Sequence, residues 1–125
     1  MRTRVIMRYI ASTTTFAILL FLSAQASAMK LITENYEITI DSKCREGEVV
    51  CDNYFYTGVS KKTGKSIHLK GSSWHTKLAD GTPNRFLGYK FESGNIVYYV
   101  SQDGTLEVVQ NRDKVLVSER GKWQE

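Results

Sequence analysis

Three pairs of residues have types that could do chemistry: Cys44 with Cys51, His68 with His75, and Glu46 with Glu48. The cysteines stand in a C-x6-C spacing with no histidine or second cysteine pair beside them. That is not the C-x2-C arrangement of thiol–disulfide enzymes or zinc sites, and an even pair in an exported chain reads as a structural disulfide. The histidines are an odd number of residues apart, which puts them on opposite faces of a strand unless Gly71 inserts a bulge. A metal would still need a third ligand such as Asp80, for which no recognisable spacing exists. Glu46 and Glu48 lie in a polar, Gly-containing stretch, where exposed carboxylates keep ordinary acidities. Residues 58–66 (GVSKKTGKS) echo a phosphate-binding loop, but five residues rather than four precede the Gly-Lys pair, and a hairpin is expected there. No Gly-x-Ser-x-Gly elbow is present. The expectation is a protein that is not an enzyme and has neither metal nor cofactor.

Residues 1–28 read as a secretory signal peptide. Arg2, Arg4 and Arg8 form a positive start, FAILLFL (residues 16–22) an apolar centre, and Ala26-Ser27-Ala28 a small-x-small cleavage site. The apolar run is too short for a membrane span, and no second run of spanning length follows. The leader also explains the charge. The chain is formally +4, with 17 basic and 13 acidic residues, but three of the basic ones lie in the leader. The remainder, residues 29–125, is close to neutral and does not ask for a nucleic-acid partner. It is read as a single all-β domain, periplasmic or secreted, with no membrane span of its own.

The elements that must position these residues are strands. Residues 85–120 contain four apolar runs separated by Ser93-Gly94-Asn95, Asp103-Gly104 and Asn111-Arg112-Asp113, the pattern of a four-stranded antiparallel meander. Two-residue loops would set Tyr99 opposite Val108 and Tyr98 opposite Val109. Leu87, Tyr89 and Phe91 would then share a face with Ile96, Tyr98, Val100, Val109 and Leu116. The other face would carry Phe86, Lys90, Val97, Tyr99, Leu106, Val108, Val115 and Val117. Neither face is then polar, which predicts a sheet covered on both sides, curled into a barrel, or left with an aromatic patch for a partner. Upstream, residues 31–40, 49–59 and 66–74 read as three further strands. The expected fold is a small antiparallel sandwich or barrel of about seven strands. The strand edges at residues 31–40 and 115–120 leave the oligomeric state open.

The remaining signal is aromatic and basic. Tyr54, Tyr56, Trp74, Tyr89, Tyr98 and Tyr99 are more than a core this small is expected to bury, and Tyr and Trp are favoured at interfaces. Trp74 and His75 precede a loop and form a candidate binding edge, with the alternative that Trp74 caps the core. Lys61, Lys62, Lys65 and Lys70 cluster at a hairpin, either as a solvated tip or as a contact for an acidic partner. The candidate partner-binding residues are therefore Trp74, His75, Tyr54, Tyr56, Lys61, Lys62 and Lys65. In size, leader, single disulfide and meander, the chain resembles the small periplasmic proteins that include lysozyme inhibitors and toxin-immunity proteins. The aromatic excess makes the leading expectation a small exported binding protein of the inhibitor or immunity type, whose loops or strand edge occlude a partner protein in the envelope or periplasm. A carbohydrate- or envelope-binding module and a structural envelope protein are the alternatives.

Overall fold

The structure, a computed structural model, describes residues 28–125. All of the expected signal peptide except Ala28 lies outside the described residues. The described chain is all-β, with nine strands: β1 (Ala28–Ile32), β2 (Tyr36–Ser42), β3 (Tyr54–Ser60), β4 (Ser66–Lys77), β5 (Pro83–Ser93), β6 (Ile96–Ser101), β7 (Thr105–Gln110), β8 (Lys114–Arg120) and β9 (Lys122–Gln124). No helix among the described residues is long and apolar enough to cross a membrane.

Every pairing is antiparallel, and from β1 to β8 each strand pairs with the next in sequence. The sheet curls until β9 reaches β1, with Leu31 opposite Trp123. β8 and β9 are one extended segment interrupted at Gly121, whose first part pairs with β7 and whose last part pairs with β1. The result is a nearly closed up-and-down barrel, the arrangement that removes most free strand edges.

Nine strands replace the expected seven for local reasons. Residues 31–40 are two strands, because Thr33 turns the chain: its N–H donates to Tyr36 O at 2.9 Å and its hydroxyl accepts from Tyr36 N–H at 3.1 Å. The turn contains neither glycine nor proline. The strand expected at residues 49–59 begins only at Tyr54, and Val49 and Val50 are exposed within the disulfide loop. The short β9 follows a kink at Gly121.

The meander is present, but its register is corrected. The β5–β6 loop has two residues, Gly94 and Asn95, and pairs Tyr89 with Val100 and Phe91 with Tyr98, so these four share a face as expected. The next loop, residues 102–104, has three residues, with Gly104 at φ 98° closing it in the left-handed region. The extra residue flips everything beyond it. Tyr98 therefore faces Val108, Tyr99 faces Glu107, and Val100 faces Leu106. Leu106, Val108 and Val117 point into the barrel, not away from it. Val109 leaves the inner face, and Leu116 falls at a bulge in the β7–β8 pairing.

A second correction comes from β4 and β5. No bulge forms at Gly71, which pairs regularly with Tyr54 and Phe91. The irregularity lies beyond Trp74, opposite Gly88, whose φ is 148°. A Cβ on Gly88 would come within 2.2 Å of Val100 O, so glycine is required by both conformation and space. Past this point Phe86 packs against the core and Leu87 turns towards Trp74.

The core lies inside the barrel: Leu31, Ile38, Ile40, Tyr56, Tyr89, Phe91, Val100, Leu106 and Val108 are buried. Burying side chains of this size contributes roughly 1.5–3 kcal/mol each. Cys44 and Cys51 form the expected disulfide, with Cα atoms 6.0 Å apart. A loop this short stabilises by about 2.5 kcal/mol through chain entropy. Cys51 N–H donates to Ser73 Oγ at 3.1 Å and Ser73 N–H to Cys51 O at 2.8 Å, which fastens the loop to β4.

Candidate functional site

The opposite end of the barrel from the disulfide is open. It is bounded by the β1–β2, β3–β4, β5–β6 and β7–β8 turns. The β1–β2 turn comes level with Glu119, and the earlier part of β8 pairs with β7 alone. A cavity of about 390 Å³ enters the barrel there, lined mainly by Tyr36, Tyr56, Tyr98, Leu106, Val108 and Leu116, with Lys65 and Ser60 at its edge. Strand periodicity explains the lining. Tyr54, Tyr56 and Gly58 alternate inwards along β3, and the Tyr56 ring lies over Gly58, where a Cβ would come within 2.7 Å of the phenol.

Tyr56 is 2% exposed and its ring is 5.4 Å from that of Tyr98. Its hydroxyl has no hydrogen-bond partner among the described residues. Burial, followed by the charges that Tyr98 and Tyr36 would carry on ionising, pushes the Tyr56 phenol far above its ordinary value. Burial and Tyr36 raise Tyr98 in the same direction.

The lysine cluster is divided in its roles. Lys61 is tied into the fold, its ammonium donating to Thr33 O at 2.7 Å and its N–H to Asn35 O at 2.9 Å. Lys62 lies at the exposed turn, and Lys70 is exposed on β4 opposite Phe55. Lys65 lines the cavity and makes no ion pair among the described residues. Burial works against the charged form of Glu119, but hydrogen bonds from Asn35 and Thr33, with the Lys61 ammonium, outweigh it and hold the carboxyl below its usual range.

A second site lies on the outer wall. Trp74 and Tyr99 come together there with ring centroids 4.8 Å apart. With Val97, Val109, Glu107 and Arg112 they line a groove of about 370 Å³. Arg112 has φ 73° and Asn111 φ 53°, so two non-glycine residues hold the left-handed conformation at one end of the groove. His75, the neighbour of Trp74, does not share this face. Its ring meets Phe86 at 5.5 Å, and Phe86 packs against Tyr89 at 5.4 Å. His68 lies elsewhere on β4, within 3.2 Å of the Thr57 hydroxyl.

The structure thus separates the residues singled out in the sequence. Tyr56 and Lys65 meet at the cavity. Tyr54 packs inside against Tyr89 at 4.9 Å, and Trp74 stands on the outer wall with Tyr99. Four of the six aromatics expected to exceed the core, Tyr54, Tyr56, Tyr89 and Tyr98, belong to the core or pack against it. Sequence reasoning missed Tyr36, Tyr98 and Leu116 as cavity residues, and Val97, Val109 and Arg112 as companions of Trp74. A three-residue reading of the loop at 102–104 would have placed Tyr98 and Val108 on the same face. Cys44, Glu48 and Cys51 bring potential ligand atoms together, but the sulfurs are joined in the disulfide and neither thiol is free.

Comparison of this chain with protein-family models, curated proteins and solved structures finds no match.

Proposed function

We propose that this chain is an exported binding protein of the inhibitor or immunity type, which grips a partner protein through the outer face built on Trp74 and Tyr99. The observation that carries this reading is the Trp74–Tyr99 pair itself. The barrel fills its interior with other residues, so the pair is not needed to complete the core. Trp, Tyr and Arg are the side chains that most often carry the energy of a protein interface, and all three line this groove. Glu107 and Arg112 add charges of both signs at its edge, which gives orientation to a protein partner. The rings are tilted by 50°, a geometry less suited than a flat platform to stacking on a sugar. Export is supported by the leader read in residues 1–28 and by the disulfide, which persists in an oxidising compartment.

The test is affinity capture with the chain from Met29 onward, disulfide intact, from periplasmic extract and solubilised envelope. A stoichiometric protein held by the parent chain and released by Trp74→Ala supports the reading. Retention of glycan alone, or equal capture by both forms, contradicts it.

A further inference from the structure

The cavity at the barrel mouth is separate from the outer face and contains an unmet requirement. A buried hydroxyl without a partner is uncommon, because its desolvation is not recovered. Tyr56 is such a group: 2% exposed, unpartnered among the described residues, and facing the cavity. Tyr36 and Tyr98 also line the cavity, and neither makes a side-chain hydrogen bond among the described residues. Three phenolic donors therefore surround one space. Lys65 adds an unpaired ammonium at its edge. The other walls, Ile67, Leu106, Val108, Leu116 and Val117, are aliphatic. The turns around the opening carry Lys61, Lys62, Lys65 and Arg112 against Glu34 and Asp113, and although Glu119 beside the β1–β2 turn offsets Lys61, the balance at the rim stays positive and favours an anion.

We propose that the barrel mouth binds a small carboxylate with an apolar body, of the medium-chain fatty-acid class. The carboxylate accepts hydrogen bonds from the Tyr56 phenol and its tyrosine neighbours and pairs with Lys65. The apolar body lies against the aliphatic walls. The volume of about 390 Å³ falls at the lower end of the small-ligand range of roughly 300–1,000 Å³. That size suits one short chain or ring and excludes a two-chain lipid.

The experiment is calorimetric titration of the chain from Met29 onward with sodium decanoate, and in parallel with decan-1-ol, which keeps the chain and loses the charge. The expected result is saturable one-to-one binding of decanoate, tighter than that of the alcohol. Tyr56→Phe keeps the ring and weakens decanoate by roughly tenfold. Lys65→Ala weakens decanoate by up to about fivefold at low salt and leaves the alcohol unchanged. Leu116→Trp changes an exposed residue at the opening and abolishes binding of both probes by blocking entry. Trp74→Ala leaves decanoate affinity unchanged, so this result and that of the partner capture stand or fall separately. Absence of saturable decanoate binding would overturn the proposal and leave trapped water as the partner of Tyr56. Binding that survives both Tyr56→Phe and Leu116→Trp would also overturn it, by placing the probe elsewhere.

Discussion

Asn35 and Glu119, 84 residues apart, complete the barrel: the Asn35 backbone N–H donates to one carboxylate oxygen at 3.1 Å and its side-chain amide to the other at 2.6 Å. This contact fastens the β1–β2 turn to β8 where no strand pairing closes the seam. Lys61 reaches the same turn from the β3–β4 hairpin. The seam is therefore held by hydrogen bonds from side chains, and immediately beyond it the wall opens into the cavity.

Glu119→Ala is expected to destabilise the fold by about 1–2 kcal/mol, the range for losing hydrogen bonds to a charged group that is partly solvated. The effect depends on pH. The folded-state pKa of Glu119 lies below its ordinary value, so its contribution is present above the unfolded value, near 4.3, and is lost as pH falls through the folded value. Urea melts between pH 3 and 7 should show the parent and variant converging at the acid end. A constant difference across the range would assign the loss to packing and not to the carboxylate.

Arg112 at φ 73° occupies a conformation that costs an L-residue roughly 1–2 kcal/mol and costs glycine little. Arg112→Gly should therefore raise stability by about 1 kcal/mol in chemical denaturation, even though it removes a side chain. If the groove with Trp74 and Tyr99 is the partner site, the same variant binds the partner more weakly. A more stable protein with weaker binding would identify strain retained for function. Unchanged binding would remove Arg112 from the site.

The tyrosines of the barrel govern the alkaline limit. Folding raises the pKa of Tyr56, mainly through burial, and those of Tyr89 and Tyr98 in the same way. A raised folded pKa means that the native state holds protons which the unfolded state releases above about pH 10. Stability is therefore full below that pH and declines above it. Tyr56→Phe should flatten the decline and, by removing an unpartnered buried hydroxyl, stabilise the unliganded protein by about 1 kcal/mol at neutral pH. Thermal melts from pH 7 to 11 would measure both effects, and a destabilised variant at pH 7 would show that the hydroxyl is satisfied.

The meander and the disulfide were legible in the sequence because they depend on local signals: glycines in turns, alternating apolar residues, and an isolated pair of cysteines following a leader-like segment. Register was not legible. Asp103-Gly104 fits a two-residue loop and a three-residue loop equally well, and the choice decides whether Leu106 and Val108 face inwards or outwards. The turn at Thr33 was hidden because a hydroxyl, with no glycine or proline, makes it. A bulge in β4 was conceivable at Gly71 from the sequence, but the irregularity falls beyond Trp74, where Gly88 on the neighbouring strand is its counterpart. These non-local choices sorted the aromatics, placing Tyr56 and Tyr98 at the cavity and Trp74 and Tyr99 on the wall. The candidate sites could be listed by residue type from the sequence, but their grouping required the curl of the sheet.

The central claim is that Trp74 and Tyr99 serve recognition and not stability. The most direct measurement is the affinity of the captured partner for the parent chain, Trp74→Ala, Tyr99→Ala and the double variant, with a thermal melt of each. Each single variant should lose about 2 kcal/mol or more of binding, roughly thirtyfold. The double variant should lose less than the sum, since the rings support one another. Melting temperatures should change little. Affinities that stay at the parent level, or that fall only in step with melting temperature, would contradict the account and return the pair to the structure of the barrel wall.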